Sequence, residues 1–106
     1  MKVLFICNQN QNRSKTAELI FKDKFESRTA GLYNETPVTK EQILWSDVII
    51  VMEEEQRIEL AKRFPKEYLK KMVLCLDIVD FYRFNDPELI NMLKMNINDL
   101  LIQATA

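Results

Sequence analysis

The stretch that most constrains this chain is residues 2–14. There Lys-Val-Leu-Phe-Ile-Cys is followed by Asn-Gln-Asn-Gln-Asn and then Arg-Ser. The run ending at Cys7 is apolar without polar alternation and carries β-branched residues, which predicts a strand buried on both faces. From Arg13 onward, Ala17, Ile20, Phe21 and Phe25 recur at helical spacing, predicting a helix to about Phe25. A strand passing into a helix through five amide residues can aim several backbone N–H groups at one point. The helix start adds its dipole, so that point favours an anion. Cys7 stands at the mouth of the loop, where the same field favours a thiolate. Arg13 closes the ring with a fork that takes two oxygens of a phosphate at once. The combination reads as a cysteine nucleophile facing a phosphoryl group. Cys7 as a plain core thiol is the competing reading, since free cysteine is often buried. Arg13 as a solvated first-turn residue is another. A cation there opposes the helix dipole, a conflict that an anion between them removes. Asn10 is the loop residue suited to a structural turn, because asparagine tolerates left-handed backbone.

The remaining chain alternates in type. Residues 26–30 are a second strand candidate, closed by Gly31, the only glycine, and followed by a polar loop to Val38. Thr39 and Gln42 form a capping-box pattern that opens a short helix to about Trp45. Residues 47–52 are the clearest buried strand. Glu54 to Phe64 is helical, with Ile58, Leu60, Ala61 and Phe64 apolar and Pro65 as its stop. Residues 72–76 are a fourth strand, and 77–85 a loop. Asp86-Pro87-Glu88 opens a last helix with Leu89, Leu93, Ile97, Leu100 and Leu101 on one side. This order predicts one α/β domain over residues 1–106, a parallel sheet with helices on both faces. Ligands of such sheets bind beyond the carboxyl ends of the strands. Cys7, Glu53 and the 77–86 loop all belong to that edge.

Charge and cysteine usage narrow the function. With 15 basic and 16 acidic residues the net charge is −1, which argues against a nucleic-acid or membrane-surface binder. No apolar run is long enough to span a bilayer. The brief apolar N-terminus gives way to amides without a small-residue cleavage site, so it is read as a strand rather than a signal peptide. Cys7 and Cys75 are expected to be free thiols of a cytoplasmic protein. There is no histidine, which excludes histidine-based triads and leaves a poor ligand set for zinc. Neither metal nor cofactor is expected.

A cysteine, five residues, arginine and serine at the end of a first strand resemble the low-molecular-weight protein tyrosine phosphatases. The similarity extends to Thr16-Ala17-Glu18, Ala30-Gly31, residues 45–52 and Asp86-Pro87, and this compact chain looks like a short bacterial form. It implies a three-layer α/β/α fold with a four-stranded parallel sheet in the order 2-1-3-4. It implies Cys7 as nucleophile through a phosphocysteine, Arg13 as phosphate clamp and Asp86 as general acid. Asn8, Gln9, Asn10, Gln11, Asn12, Arg13 and Ser14 would form the phosphate loop, with Asn10 stabilising it and Ser14 supporting the thiolate. The substrate implied is a phosphorylated protein or small phosphomonoester. Several positions depart from the pattern. Gln9 replaces a usual glycine, Asn12 a frequent cysteine, and Glu88-Leu89 the usual aromatics after Asp-Pro. The segment from Gly31 to Trp45 is also short.

Asp86 has a purely structural reading as well, since Asp-Pro-Glu is a standard helix start. Asp80 is its main rival as acid and Asp77 a weaker one. Glu53 either orients the loop or belongs to an acidic first helical turn. Phe81, Tyr82 and Phe84 line a substrate rim or pack the loop, and Trp45 and Cys75 read as packing residues. Two other functions fit the loop. One is a thiol-coupled arsenate reductase, which needs a resolving cysteine that only Cys75 could supply. The other is a phosphate or phosphopeptide binding module with little catalysis.

Overall fold

The computed structural model describes residues 1–105, and side chains through residue 98. Leu100 and Leu101, expected on the apolar face of the last helix, lie outside the described side chains. The order is β1 (Lys2–Cys7), α1 (Arg13–Phe21), β2 (Glu26–Gly31), α2 (Lys40–Trp45), β3 (Val48–Val51), α3 (Glu54–Arg63), α4 (Pro65–Leu69), β4 (Met72–Cys75) and α5 (Pro87–Thr105). The strands form one parallel sheet in the order β2-β1-β3-β4. Fold class and strand order therefore match those implied by the resemblance.

The uninterrupted apolar run of β1 follows from its place in the middle of this sheet. Side chains alternate between faces along a strand. Val3, Phe5 and Cys7 enter a core with Ala17 and Phe21 of α1 and Leu89, Leu93 and Ile97 of α5. Leu4 and Ile6 enter the opposite core with Ile43 of α2 and Leu60 of α3. Both faces are covered, so no position of Val3–Ile6 reaches solvent.

The structure corrects one local expectation and adds to two others. Helix α1 ends at Phe21 rather than Phe25, because the backbone N–H groups of Lys24 and Phe25 both turn back to the Phe21 carbonyl. Phe25 still packs on the α1 side of the core, from the turn, with its ring 5.8 Å from that of Phe21. Pro65 ends α3 but also opens α4, at a first-turn position where its missing N–H costs nothing. Ile58 is 60% exposed. Leu60 faces the sheet, and a residue two positions earlier falls near the opposite side of a helix. The capping box at Thr39 forms as expected, with Gln42 N–H donating to Thr39 Oγ1 at 3.3 Å and Thr39 N–H to Gln42 Oε1 at 2.9 Å. Trp45 is half-buried against the α2–α3 core, with the Arg28 guanidinium 4.2 Å from its ring centroid. Among the described residues, no helix is long and apolar enough to cross a membrane.

Candidate active site

The loop between β1 and α1 lies at the carboxyl edge of the sheet, and its first residue is anchored on both sides. The Asn8 carbonyl accepts the N–H groups of Leu32 and Tyr33 at 3.0 and 2.9 Å. Its side-chain Oδ1 accepts from Gln56 Nε2 at 3.0 Å. Gln56 is buried in α3, and its Oε1 accepts the N–H groups of Met52 and Glu53 at 2.7 and 3.1 Å. One carboxamide thus caps the start of α3 and ties that turn to the loop. Gly31, beside Cys7 in the register, allows the close approach. A Cβ there would meet the Asn34 side chain at 2.7 Å and the Asn8 carbonyl at 3.0 Å.

Asn10 adopts φ 56°, a left-handed conformation that asparagine tolerates better than most residues. Gln9 has no positive φ, so the loop closes without a glycine there. Among the described residues, no protein acceptor takes the N–H groups of residues 9–14. They remain available to an anion, as the first N–H groups of a helix generally do.

Behind the loop, Ser14 Oγ lies 3.1 Å from Cys7 Sγ and donates to Asn10 Oδ1 at 2.8 Å. A single hydroxyl therefore bridges the thiol and the left-handed turn. Arg13 is 1% exposed and joins three segments. Its Nη1 donates to the Ile78 carbonyl at 2.7 Å and lies 3.3 Å from Glu53 Oε1, while Nε lies 3.8 Å from Asp80 Oδ1. A buried guanidinium needs such partners. Its other terminal nitrogen has no partner among the described residues and is left to a ligand. Glu53, expected either to orient the loop or to belong to an acidic first helical turn, is the N-cap residue of α3 and places Oε1 beside Arg13.

Cys7, Gln9, Gln11, Asn12, Arg13 and Asp80 line one cavity of about 50 Å³. That is room for an anion little larger than one or two waters. The side chains of Asn8, Asn10 and Ser14 support the loop from behind instead. Asp86, expected as the acid, does not line the cavity. Its Oδ1 accepts the Glu88 N–H at 2.9 Å and its carbonyl accepts the Ile90 N–H at 3.0 Å, so it serves as the cap of α5. The carboxylate at the cavity is Asp80. Asp77 stands at the loop's entry with φ 58° and Asn85 at its exit with φ 61°. The exit is held by the Asn85 N–H donating to Thr16 Oγ1 at 2.8 Å. Tyr82 packs on the core beneath the loop, whereas Phe81 is exposed. Phe84 lines an open groove over α1 with Lys15, Leu19, Lys22 and Phe25.

Gln56 was invisible as a site residue in the sequence. It sits among charged neighbours, and only the strand-to-helix turn after β3 reveals its use. Asp80 carried a fainter signal, an acidic residue in the loop after the fourth strand. Cys75 is half-buried at the end of β4, and burial pushes its thiol above the ordinary value. In the register Cys75 aligns with Val51, and Val51 with Ile6. Two strand spacings, about 9.6 Å, therefore separate it from the end of β1, beyond the ~7 Å Cα limit for a disulfide. Among the described residues there is no acidic, cysteine or histidine cluster able to hold a metal ion.

The fold has clear counterparts among solved structures. YwlE from Bacillus subtilis, in a mutant form, is 19% identical with a TM-score of 0.76, over 100% of this chain and 99% of that one. SP-PTP, a low-molecular-weight protein tyrosine phosphatase from Streptococcus pyogenes, is 17% identical with a TM-score of 0.78, over 96% and 91%. YwlE arginine phosphatase from Geobacillus stearothermophilus is 18% identical with a TM-score of 0.72, over 96% and 94%. No family model and no curated protein matches the sequence. The chain therefore has the low-molecular-weight protein tyrosine phosphatase fold, over its whole length.

Proposed function

We propose that this protein is a cysteine-dependent phosphatase that forms a phosphocysteine at Cys7. The observation that carries the reading is the shared cavity. The thiol of Cys7 and the buried guanidinium of Arg13 open on one anion-sized space at a helix start, with Asp80 on its rim. In the first step the Cys7 thiolate attacks phosphorus in line. The S–P bond forms, the bond to the leaving oxygen breaks, and the Asp80 carboxyl gives that oxygen its proton. The free loop N–H groups and Arg13 hold the equatorial oxygens as charge spreads over them. In the second step water attacks phosphorus, Asp80 takes its proton, and the S–P bond breaks to restore the thiolate. When the sulfur carries charge, the Ser14 hydroxyl 3.1 Å away can turn its one proton from Asn10 Oδ1 to the sulfur.

The acid belongs on Asp80 rather than Asp86, because general acid catalysis needs reach to the leaving oxygen, and Asp86 is engaged at the α5 cap. Two free thiols suit a reducing, cytoplasmic setting. An arsenate reductase relay through Cys75 is disfavoured by the two-strand separation. The substrate is a phosphorylated protein or small phosphomonoester. Structural neighbours described as tyrosine phosphatase and as arginine phosphatase share this fold, so the surroundings of the cavity select the substrate. The test is hydrolysis of p-nitrophenyl phosphate at mildly acidic to neutral pH, with a phosphorylated Cys7 trapped by acid quench and located by mass spectrometry. Binding of phosphate without turnover would instead assign a binding module.

A further inference from the structure

Beside the phosphate cavity lies a second depression, an open groove of about 490 Å³ lined by Gln9, Gln11, Tyr33, Asn34, Glu35 and Thr36. Gln9 and Gln11 line both spaces. The two spaces therefore adjoin, and a substrate whose phosphate occupies the cavity can extend into the groove over these two side chains. Resting on the phosphatase reading, we propose that this groove is a subsite for a basic residue flanking the phosphorylated residue of a protein substrate, with Glu35 as its selecting group.

Charge is the first support. Among the lining residues Glu35 alone carries a formal charge, and it makes no ion pair among the described residues. The other groups around it are amides, a hydroxyl and a phenol, which accept hydrogen bonds as readily as they donate. A guanidinium or ammonium fits such a lining, and a second carboxylate would face repulsion with no cation to offset it. The Arg63 guanidinium, which lies over the Tyr33 ring, does not line the groove. It is held by Glu59 at 2.7 Å and donates to the Leu32 carbonyl at 2.7 Å.

Rigidity is the second support. Arg63 lies 5.2 Å from the Tyr33 ring centroid and holds that wall in place. The Leu32 and Tyr33 N–H groups bond the Asn8 carbonyl, and Asn34 packs onto Gly31. The groove is thereby fastened to the first residue of the phosphate loop. Its distance from the cavity is set before substrate arrives, which lowers the ordering cost of a two-point contact.

The experiment compares two phosphotyrosine peptides differing only in arginine or glutamate at the positions flanking the phosphorylated residue. Wild-type protein is expected to show kcat/KM about two- to fivefold higher for the arginine peptide, the range of an exposed ion pair. The ratio should fall as salt is raised. In Glu35→Gln it should approach unity, and in Glu35→Lys it should invert. Each ratio is taken within one protein, so a change in overall folding or turnover cancels. Equal values for the two peptides in wild type, or turnover of neither while p-nitrophenyl phosphate is still cleaved, overturns the subsite. A wild type that cleaves none of these substrates overturns the phosphatase reading itself, a distinct outcome.

Discussion

Two loops meet at the cavity, and they are built in opposite ways. The loop of residues 8–12 is fastened from both sides, by the backbone N–H groups of Leu32 and Tyr33 just after β2 and by the buried Gln56 carboxamide. The 77–86 loop is pinned at its ends and near Ile78. Its middle is open, with Val79 60% and Phe81 79% exposed and the Asp80 side chain 56% exposed. Under the proposed mechanism, the contrast suits a division of labour. Groups that hold a phosphoryl oxygen gain most from being fixed before charge develops. A group that delivers a proton must instead meet leaving groups of different shape and exchange protons with water.

The largest expected effects break the fixed half. Cys7→Ser should abolish turnover. Arg13→Lys should lower kcat by about 10²–10³, the cost of one lost oxyanion donor, since a point charge cannot serve Ile78, Glu53 and the substrate together. Steady-state kinetics with p-nitrophenyl phosphate checks both, and near-normal turnover in Arg13→Lys would mean that the clamp is not what holds the anion. Next comes the open half. Asp80→Asn should lower kcat by about 10²–10⁴ for a poor leaving group such as phenol and by less for p-nitrophenol. Asp86→Asn should leave kcat near wild type. The reverse ranking would move the acid to the helix cap and erase the contrast between the loops.

Stability tests sharpen the comparison further. Gln56→Ala should cost about 1–3 kcal/mol in urea unfolding, because buried N–H groups at the start of α3 lose their acceptor. Asp86→Ala should cost about 0.5–2 kcal/mol as a lost helix cap. The smallest effect concerns Cys75. Its raised titration leaves it less ionised than an unperturbed thiol at any given pH. Iodoacetamide labelling of Cys75 in Cys7→Ser protein should therefore follow a curve displaced to higher pH than that of free cysteine. The matching stability term is present below the unfolded thiol's pKa and is lost as pH rises through the folded one. Coincident labelling curves would count against a buried Cys75.

Much of this protein was legible residue by residue. The apolar run before Cys7 demanded a central parallel strand, because only a sheet covered on both faces buries every side chain of a strand. Alternating strand and helix signals then placed the loop at the ligand edge. The Asn10 turn followed from the backbone tolerance of asparagine. All of these are local properties, carried by spacing and side-chain type. What tertiary structure alone decided was which distant groups face the cavity. Asp80 and Asp86 lie in one loop and look alike as sequence, and Asp86-Pro87 looked the better motif. Loop closure between two left-handed residues turns Asp80 toward Arg13 and leaves Asp86 on the N–H groups of α5. Gln56 reaches Asn8 across 48 positions of sequence. Such pairings depend on how loops close over strand ends, and a chain read by local pattern carries no term for that.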